Sequence, residues 1–245
     1  MEKENKEIKK GDFIEIEYTG KIRNEERIID TTDEALAKKA NIYSENTEYG
    51  PITICIGEKH LLEGLDKNIE GKKIGEEIDV NLKPEEAFGK KNPKLLQIVP
   101  LNKFRQSNMQ PVPGMQINID GILATIKTIS GGRVIVDFNH PLSGRELNYK
   151  IKLNKIIENI DDKIRALINI LLKIPSEKTD VKVENNKAEI TIKGKAPLPK
   201  EIAEKMSEKI RKLLPEIEKV DFKAEKQAEI AKTESVEEKE KEKNI

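Results

Sequence analysis

From residue 12 to residue 89 apolar and polar positions alternate, break off and alternate again. Ile14, Ile16 and Tyr18 fall on one face of a strand expected over residues 12–22, with Glu15 and Glu17 on the other. Tyr18 therefore enters the core side, where its hydroxyl needs a partner. Asn24-Glu25-Glu26 reads as a turn and residues 27–30 as a short return strand, with Asp30 at an edge before Thr31-Thr32. Residues 33–49 carry Ala35, Leu36 and Ala40 at helical spacing, which predicts a loop with one or two helical turns. Ile52, Ile54 and Ile56 make a second alternation, ended by Gly57. Leu61, Leu62, Leu65 and Ile69 then recur as one helix face, with Gly71 as its C-terminal cap. Ile78, Val80 and Leu82 follow as a strand stopped by Pro84. Strand, short buried helix and strand close round one apolar spot, to which Ala87-Phe88-Gly89 returns.

The pattern changes after Lys90-Lys91-Asn92-Pro93, a linker signal. Leu95, Leu96, Ile98, Val99, Leu101 and Phe104 crowd a short piece, and a Pro-Gly loop runs from Gln110 to Met115. Strands are expected over 116–119 and 122–129, then a Gly131-Gly132 hairpin turn before residues 133–138. This reads as a small all-β module spanning 90–138. Leu147, Tyr149, Ile151 and Leu153 then alternate strictly. A strand arriving so late implies that the module is inserted into a domain made of residues 1–89 and 139–155.

Residues 156–224 form a third unit. Ile160, Ile164, Leu167, Ile168, Leu171 and Leu172 predict a helix capped by Asp161 or Asp162 and stopped at Pro175. Val181 and Val183, an Asn185-Asn186 turn, and Ala188, Ile190 and Ile192 predict a hairpin. Pro197 and Pro199 precede a second helix through Ile202, Met206, Ile210, Leu213 and Leu214, and Val220 and Phe222 a last strand. The order is α-β-β-α-β. Its core is modest, and oligomerisation is one way to complete it. Residues 225–245 read as a charged tail, and residues 1–10 as charged and frayed. The fold class is α+β throughout.

Composition narrows the partners. Of 245 residues 37% are charged, but 45 Lys+Arg balance 45 Asp+Glu, so no net field favours nucleic acid or an acidic membrane. Abundant Lys and Glu without Trp fit either a hyperthermophile or the codon bias of an AT-rich genome. The single cysteine, Cys55, lies between two isoleucines and reads as a packed thiol in a reducing cytoplasm. Residues 1–13 lack an apolar signal segment, and no apolar run reaches the ~18 residues of a spanning helix.

Candidate chemistry is then reached by elimination. His60 and His140 are the only histidines, too few for a metal site of the usual kinds, and each reads as a structural hydrogen bond in a loop. No Gly-x-Ser-x-Gly elbow or phosphate loop is present. An apolar hollow with Asp30 at its rim remains. Rotation about a prolyl peptide bond needs no acid, base or covalent step, only relief of a barrier of about 20 kcal/mol set by amide resonance. A dry pocket disfavours the charge-separated form, and a pocket shaped for the twisted amide stabilises it. A reduction of roughly 6 kcal/mol is about four orders of magnitude in rate.

Tyr18-Thr19-Gly20, Ile29-Asp30, residues 54–57, Leu62-Glu63-Gly64-Leu65, residues 73–76, Ala87-Phe88-Gly89 and the strand through Tyr149 together resemble the FK506-binding-protein family of peptidyl-prolyl isomerases. The inserted module followed by residues 139–144, NHPLSG, is similar to the SlyD-like branch, in which an insert-in-flap domain binds unfolded chains. The third unit looks like the C-terminal extension of long archaeal members. The resemblance implies an antiparallel sheet wrapped on a short helix. It implies a prolyl pocket in which Tyr18, Asp30, Leu62, Phe88 and Tyr149 act on the amide and Ile29, Ile52, Leu61 and Leu65 bind the substrate. The Leu62 N–H would bind a substrate carbonyl. Leu65 stands where the family often has a tryptophan floor, and Phe88 where a tyrosine often donates a hydrogen bond. Taken alone, Ile52 and Ile54 read better as core, and Asp30 reads also as a turn-stabilising carboxylate.

The expected activity is prolyl isomerisation in unfolded or nascent polypeptides, without a cofactor or metal. Leu96, Ile98, Val99, Phe104, Met109 and Met115 are the expected client-binding residues of the insert. The alternative is a chaperone holdase on a vestigial isomerase scaffold. The C-terminal unit is expected to make a homodimer, and neither membrane nor nucleic acid is an expected partner.

Overall fold

The computed structural model describes residues 6–45, 47–194 and 198–224. The first part of the chain contains β1 (Phe13–Ile22), β2 (Ile28–Thr31), α1 (Glu34–Lys39), β3 (Ile52–Cys55), α2 (Glu63–Ile69) and β4 (Glu77–Leu82). The insert contains β5 (Leu96–Pro100), α3 (Leu101–Gln106), β6 (Gln116–Ile119), β7 (Ile122–Ser130) and β8 (Arg133–Asp137). After β9 (Leu147–Ile156) come α4 (Ile160–Leu172), β10 (Thr179–Glu184), β11 (Lys187–Ile192), α5 (Lys200–Leu213) and β12 (Lys219–Ala224).

The first sheet has the order β2-β1-β9-β4, and β3 also pairs with β1. β9 thus lies between β1 and β4, antiparallel to both. Its alternating Leu147, Tyr149, Ile151 and Leu153 face one core with Ile14, Ile16, Ile54, Val80 and Leu82. α2 lays Leu65 and Ile69 on that core. The insert closes its own sheet, β5-β8-β7-β6, around Ile117, Ala124, Ile126, Val134 and Val136. It is a β module with α3 added. Its two ends meet where the Asn92 N–H donates to the Asn139 side-chain oxygen at 2.8 Å and the Asn139 amide donates back to the Asn92 carbonyl at 3.1 Å.

In the third sheet β10 and β11 are antiparallel, while β11 and β12, joined through α5, are parallel. Its core is not closed by its own residues. Phe13 and Cys55, paired in register on β1 and β3, turn away from Ile14 and Ile54 and pack with Ile164, Leu167, Ile168, Met206 and Ile210. The period of 2 along these strands gives each of them a residue for either core.

Several expectations change. Residues 1–5 lie outside the described residues, but Ile8 is buried rather than frayed. Its N–H donates to the Lys72 carbonyl at 2.8 Å, and its carbonyl accepts from Gly71 N–H at 2.9 Å. The buried helix begins at Glu63, so Leu61 and Leu62 precede it and pack on the core from a loop. Asn159, not Asp161 or Asp162, caps α4, its side-chain oxygen accepting from Asp162 N–H at 3.1 Å. Pro197 and the tail 225–245 lie outside the described residues.

Gly64 lets α2 approach β4. A Cβ there would stand 2.5 Å from Leu82 Cδ2 and 3.1 Å from the Glu86 carbonyl oxygen. Gly64→Ala is expected to destabilise the protein by about 1–3 kcal/mol through overpacking, although alanine is the better helix former. Urea unfolding of the full chain measures this, and a neutral or stabilising result would refute the close approach.

Candidate functional site

Register assembles the site. Gly20 on β1 stands opposite Asp30 on β2 and Tyr149 on β9, and Tyr149 stands opposite Val80 on β4. A row across the sheet thus reads Asp30, Gly20, Tyr149, Val80, with the only missing side chain at Gly20. The Tyr149 ring fills that space: it lies over the glycine, and a Cβ there would stand 2.4 Å from its Cε1. One step along β1, on the same face, Tyr18 donates its hydroxyl to Asp30 Oδ2 at 3.0 Å. The Tyr18 and Tyr149 rings are 6.0 Å apart and tilted by 50°. Reciprocal bonds fix the β1–β2 end. Tyr18 N–H donates to Thr32 Oγ1, and Thr32 N–H to the Tyr18 carbonyl, each at 3.0 Å.

The other proposed pocket residues gather on the same core. Ile29, Ile52, Leu61, Leu62 and Phe88 are partly buried against it, while Leu65 lies inside at 2% exposure. Leu65 is floor packing under the hollow rather than open wall. Leu62 is the N-cap of α2, so its N–H stands outside the helix's own hydrogen bonds. Phe88 is held by the loop that follows the insert. Ser143 Oγ donates to the Phe88 carbonyl at 3.0 Å, Gly144 N–H to the Gly89 carbonyl at 2.8 Å, and the His140 ring stacks on Phe88 at 4.4 Å and 2°.

The electrostatics suit binding rather than proton transfer. Burial raises the pKa of Asp30, opposed by the bonds from the Tyr18 hydroxyl and the Thr31 N–H. Burial, reinforced by the Asp30 charge, pushes the phenols of Tyr18 and Tyr149 well above the ordinary tyrosine range. Both remain hydrogen-bond donors at any working pH. Burial pushes the Cys55 thiol up to about 11, which makes it a poor nucleophile. Among the described residues no cluster of three or more His, Cys, Asp or Glu side chains is arranged to hold a metal ion. What the arrangement offers is shape, dryness and donors around an apolar hollow.

Residues 4–104 match the family of FKBP-type peptidyl-prolyl cis-trans isomerases, and residues 97–142 match the FKBP26 IF domain. A short-type peptidyl-prolyl cis-trans isomerase of Methanocaldococcus jannaschii is 36% identical over 149 residues, 61% of this chain and 94% of that protein. The chain belongs to the FKBP-type peptidyl-prolyl cis-trans isomerase family. Other relatives of this isomerase include SlyD of Helicobacter pylori, 32% identical over 52% of this chain and 70% of that protein. A probable 16 kDa FKBP-type enzyme of Pseudomonas fluorescens is 28% identical over 55% of this chain and 95% of that protein.

In the insert of this isomerase the proposed client residues divide. Leu96 and Ile98 are exposed at 44% and 64%, and Met115 is exposed as well. Val99 and Met109 are half-buried against the insert core. Phe104 is not available to a client. It is the apolar anchor of α3, only 6% exposed inside that core. Sequence reading missed Ile122, Leu123 and Ile135, which are exposed too. The adjacent pair Ile122-Leu123 was the available signal, since neighbours on a strand cannot both face one core. Two further clefts are present, one of about 480 Å³ between α5 and β12 and one of about 560 Å³ over Glu17, Tyr18, Thr19, Lys150 and Lys152 of the first sheet.

Asp30 has a raised folded-state pKa, so its contribution to stability is fully present below the unfolded carboxylate pKa and is lost as pH rises through the folded value. Asp30→Asn is therefore expected to melt higher than the native chain at pH 7, with the gain vanishing near pH 3. Thermal melts across pH test this, and a variant that is less stable at pH 7 would overturn the sign.

Proposed function

We propose that this isomerase turns over Xaa-Pro bonds in unfolded or partly folded chains that its insert first captures. The observation that carries the reading is the pair of Tyr18, bonded to Asp30, and Tyr149, their rings 6.0 Å apart beside the partly buried Ile29, Ile52, Leu61, Leu62 and Phe88 over an apolar floor. A prolyl ring is received among these apolar side chains. Tyr18 orients Asp30 beside the amide, and the Leu62 N–H donates to a substrate carbonyl. The surroundings disfavour the planar, charge-separated amide and leave its twisted form less penalised.

Capture rests on the insert surface. Ile98 and Ile135 stand opposite each other on β5 and β8, and Leu96 adjoins them. Apolar side chains held outward on a covered sheet suit many unfolded sequences without selecting one. Tethering a client there raises its effective concentration at the pocket. We place the protein in a reducing cytoplasm, which the lone buried thiol of Cys55 fits.

Replacing residues 92–137 by a short turn is expected to leave the turnover of proline tetrapeptides within about twofold. The same change is expected to reduce catalysis of proline-limited refolding by about 10²-fold, the scale of an effective-concentration effect. Equal losses in both assays would remove the capture role, and refolding catalysis without peptide turnover in the intact chain would favour a holdase.

The C-terminal unit is proposed as a homodimer interface. In support, among the described residues β12 leaves one side of its sheet unpaired, and Ile202 and Leu171 are exposed on α5 and α4. Light scattering at micromolar concentration is expected to give twice the chain mass, and a monomer would refute it.

A further inference from the structure

The loop of residues 57–62 joins β3 to α2 and ends at Leu62, the proposed carbonyl-binding N–H. The loop begins at Gly57, whose φ of +83° is a left-handed conformation that suits glycine. Two side chains hold it. His60 Nδ1 accepts from the Cys55 N–H of β3 at 3.0 Å, which leaves the ring proton on the buried Nε2. That anchor belongs to the isomerase part. The other does not: Lys209, on α5 of the C-terminal unit, donates its ammonium to Glu58.

This ion pair differs from the surface pairs around it. Its side chains are only 28% and 18% exposed, whereas Lys6 and Glu158, another bridge to the segment after β9, are exposed at 56% and 64%. Screened from solvent, a pair is stronger and its loss costlier, because the remaining charge is left buried. The Lys209 bond holds the Glu58 carboxyl below its usual range. The surface beneath is continuous, since Phe13 and Cys55 share the core of α4 and α5.

We propose that Lys209 is a positioning residue for isomerisation. Through Glu58 it fixes the loop of residues 57–62 so that the Leu62 N–H faces the substrate carbonyl, and the C-terminal unit becomes part of the isomerase site. The proposal rests on the reading of Leu62 as the carbonyl donor.

The test uses the full chain and a proline tetrapeptide followed by exchange NMR. Lys209→Met is expected to lower kcat/KM about fivefold, the low end of usual coupling between sites, chiefly through KM. Lys209→Arg keeps the charge and is expected to stay within about twofold of the native chain. Glu58→Gln is expected to match Lys209→Met, and the double variant to be no worse than either, as members of one interaction behave. A merely structural role would not produce this KM shift in a variant whose amide spectrum is native except around Leu62. Leu62→Pro removes the N–H at a φ of −58° that proline accepts, and is expected to lower kcat/KM at least about tenfold, with Leu62→Ala as the side-chain control. Native KM in Lys209→Met together with loss in Leu62→Pro overturns the positioning role alone. Leu62→Pro equal to Leu62→Ala overturns the reading of the donor itself.

Discussion

The isomerase sheet depends on one strand that arrives late. β9 lies between β1 and β4, and without it neither has its principal partner. Tyr149, which makes one wall of the hollow, is carried by the same strand. Fold and site are therefore completed together by residues beyond the insert. The insert can stand in this position because its two ends are brought together at Asn92 and Asn139, so the return to β9 demands no stretched connection.

β1 and β3 at their paired ends show how much an alternating strand can carry. Ile14 and Ile54 serve one core, while Phe13 and Cys55 serve another. The C-terminal unit is consequently not an appendage on a linker. Its helices lean on the back of the strands that frame the proposed pocket, and charge and packing cross at the same place. A small α-β-β-α-β unit with a modest core of its own gains buried area from its neighbour.

Much of this was legible in the sequence for a simple reason: isoleucine and leucine recur with period 2 or at helical spacing, and each period answers to one local geometry. Ile14 and Ile16, Val80 and Leu82, and Ile164 through Ile168 are of this kind. Local motifs such as residues 18–20 and 87–89 carried the proposed pocket, although the use of Gly20 as the seat of the Tyr149 ring became visible only from strand register. The rest failed where the deciding partner was distant. Ile8 is buried because Gly71 and Lys72 bond to it. Leu61 and Leu62 continue a helical spacing from outside the helix because a loop can lay them on the same core. Phe104 looked like client surface because one aromatic on a one-turn helix has no periodicity to give away its inward face. Among 45 basic and 45 acidic residues no pattern singles out Lys209 and Glu58.

The position of β9 also orders the biogenesis of the molecule. All pairings of the insert sheet lie between Leu96 and Asp137, so every strand of it emerges from the ribosome before β9 does. At that stage β1 and β4 present open backbone edges, the kind of surface on which nascent chains go astray. The growing polypeptide therefore carries a finished apolar platform beside its own unfinished sheet. The first unfolded segments within reach of that platform are those of the enzyme that bears it.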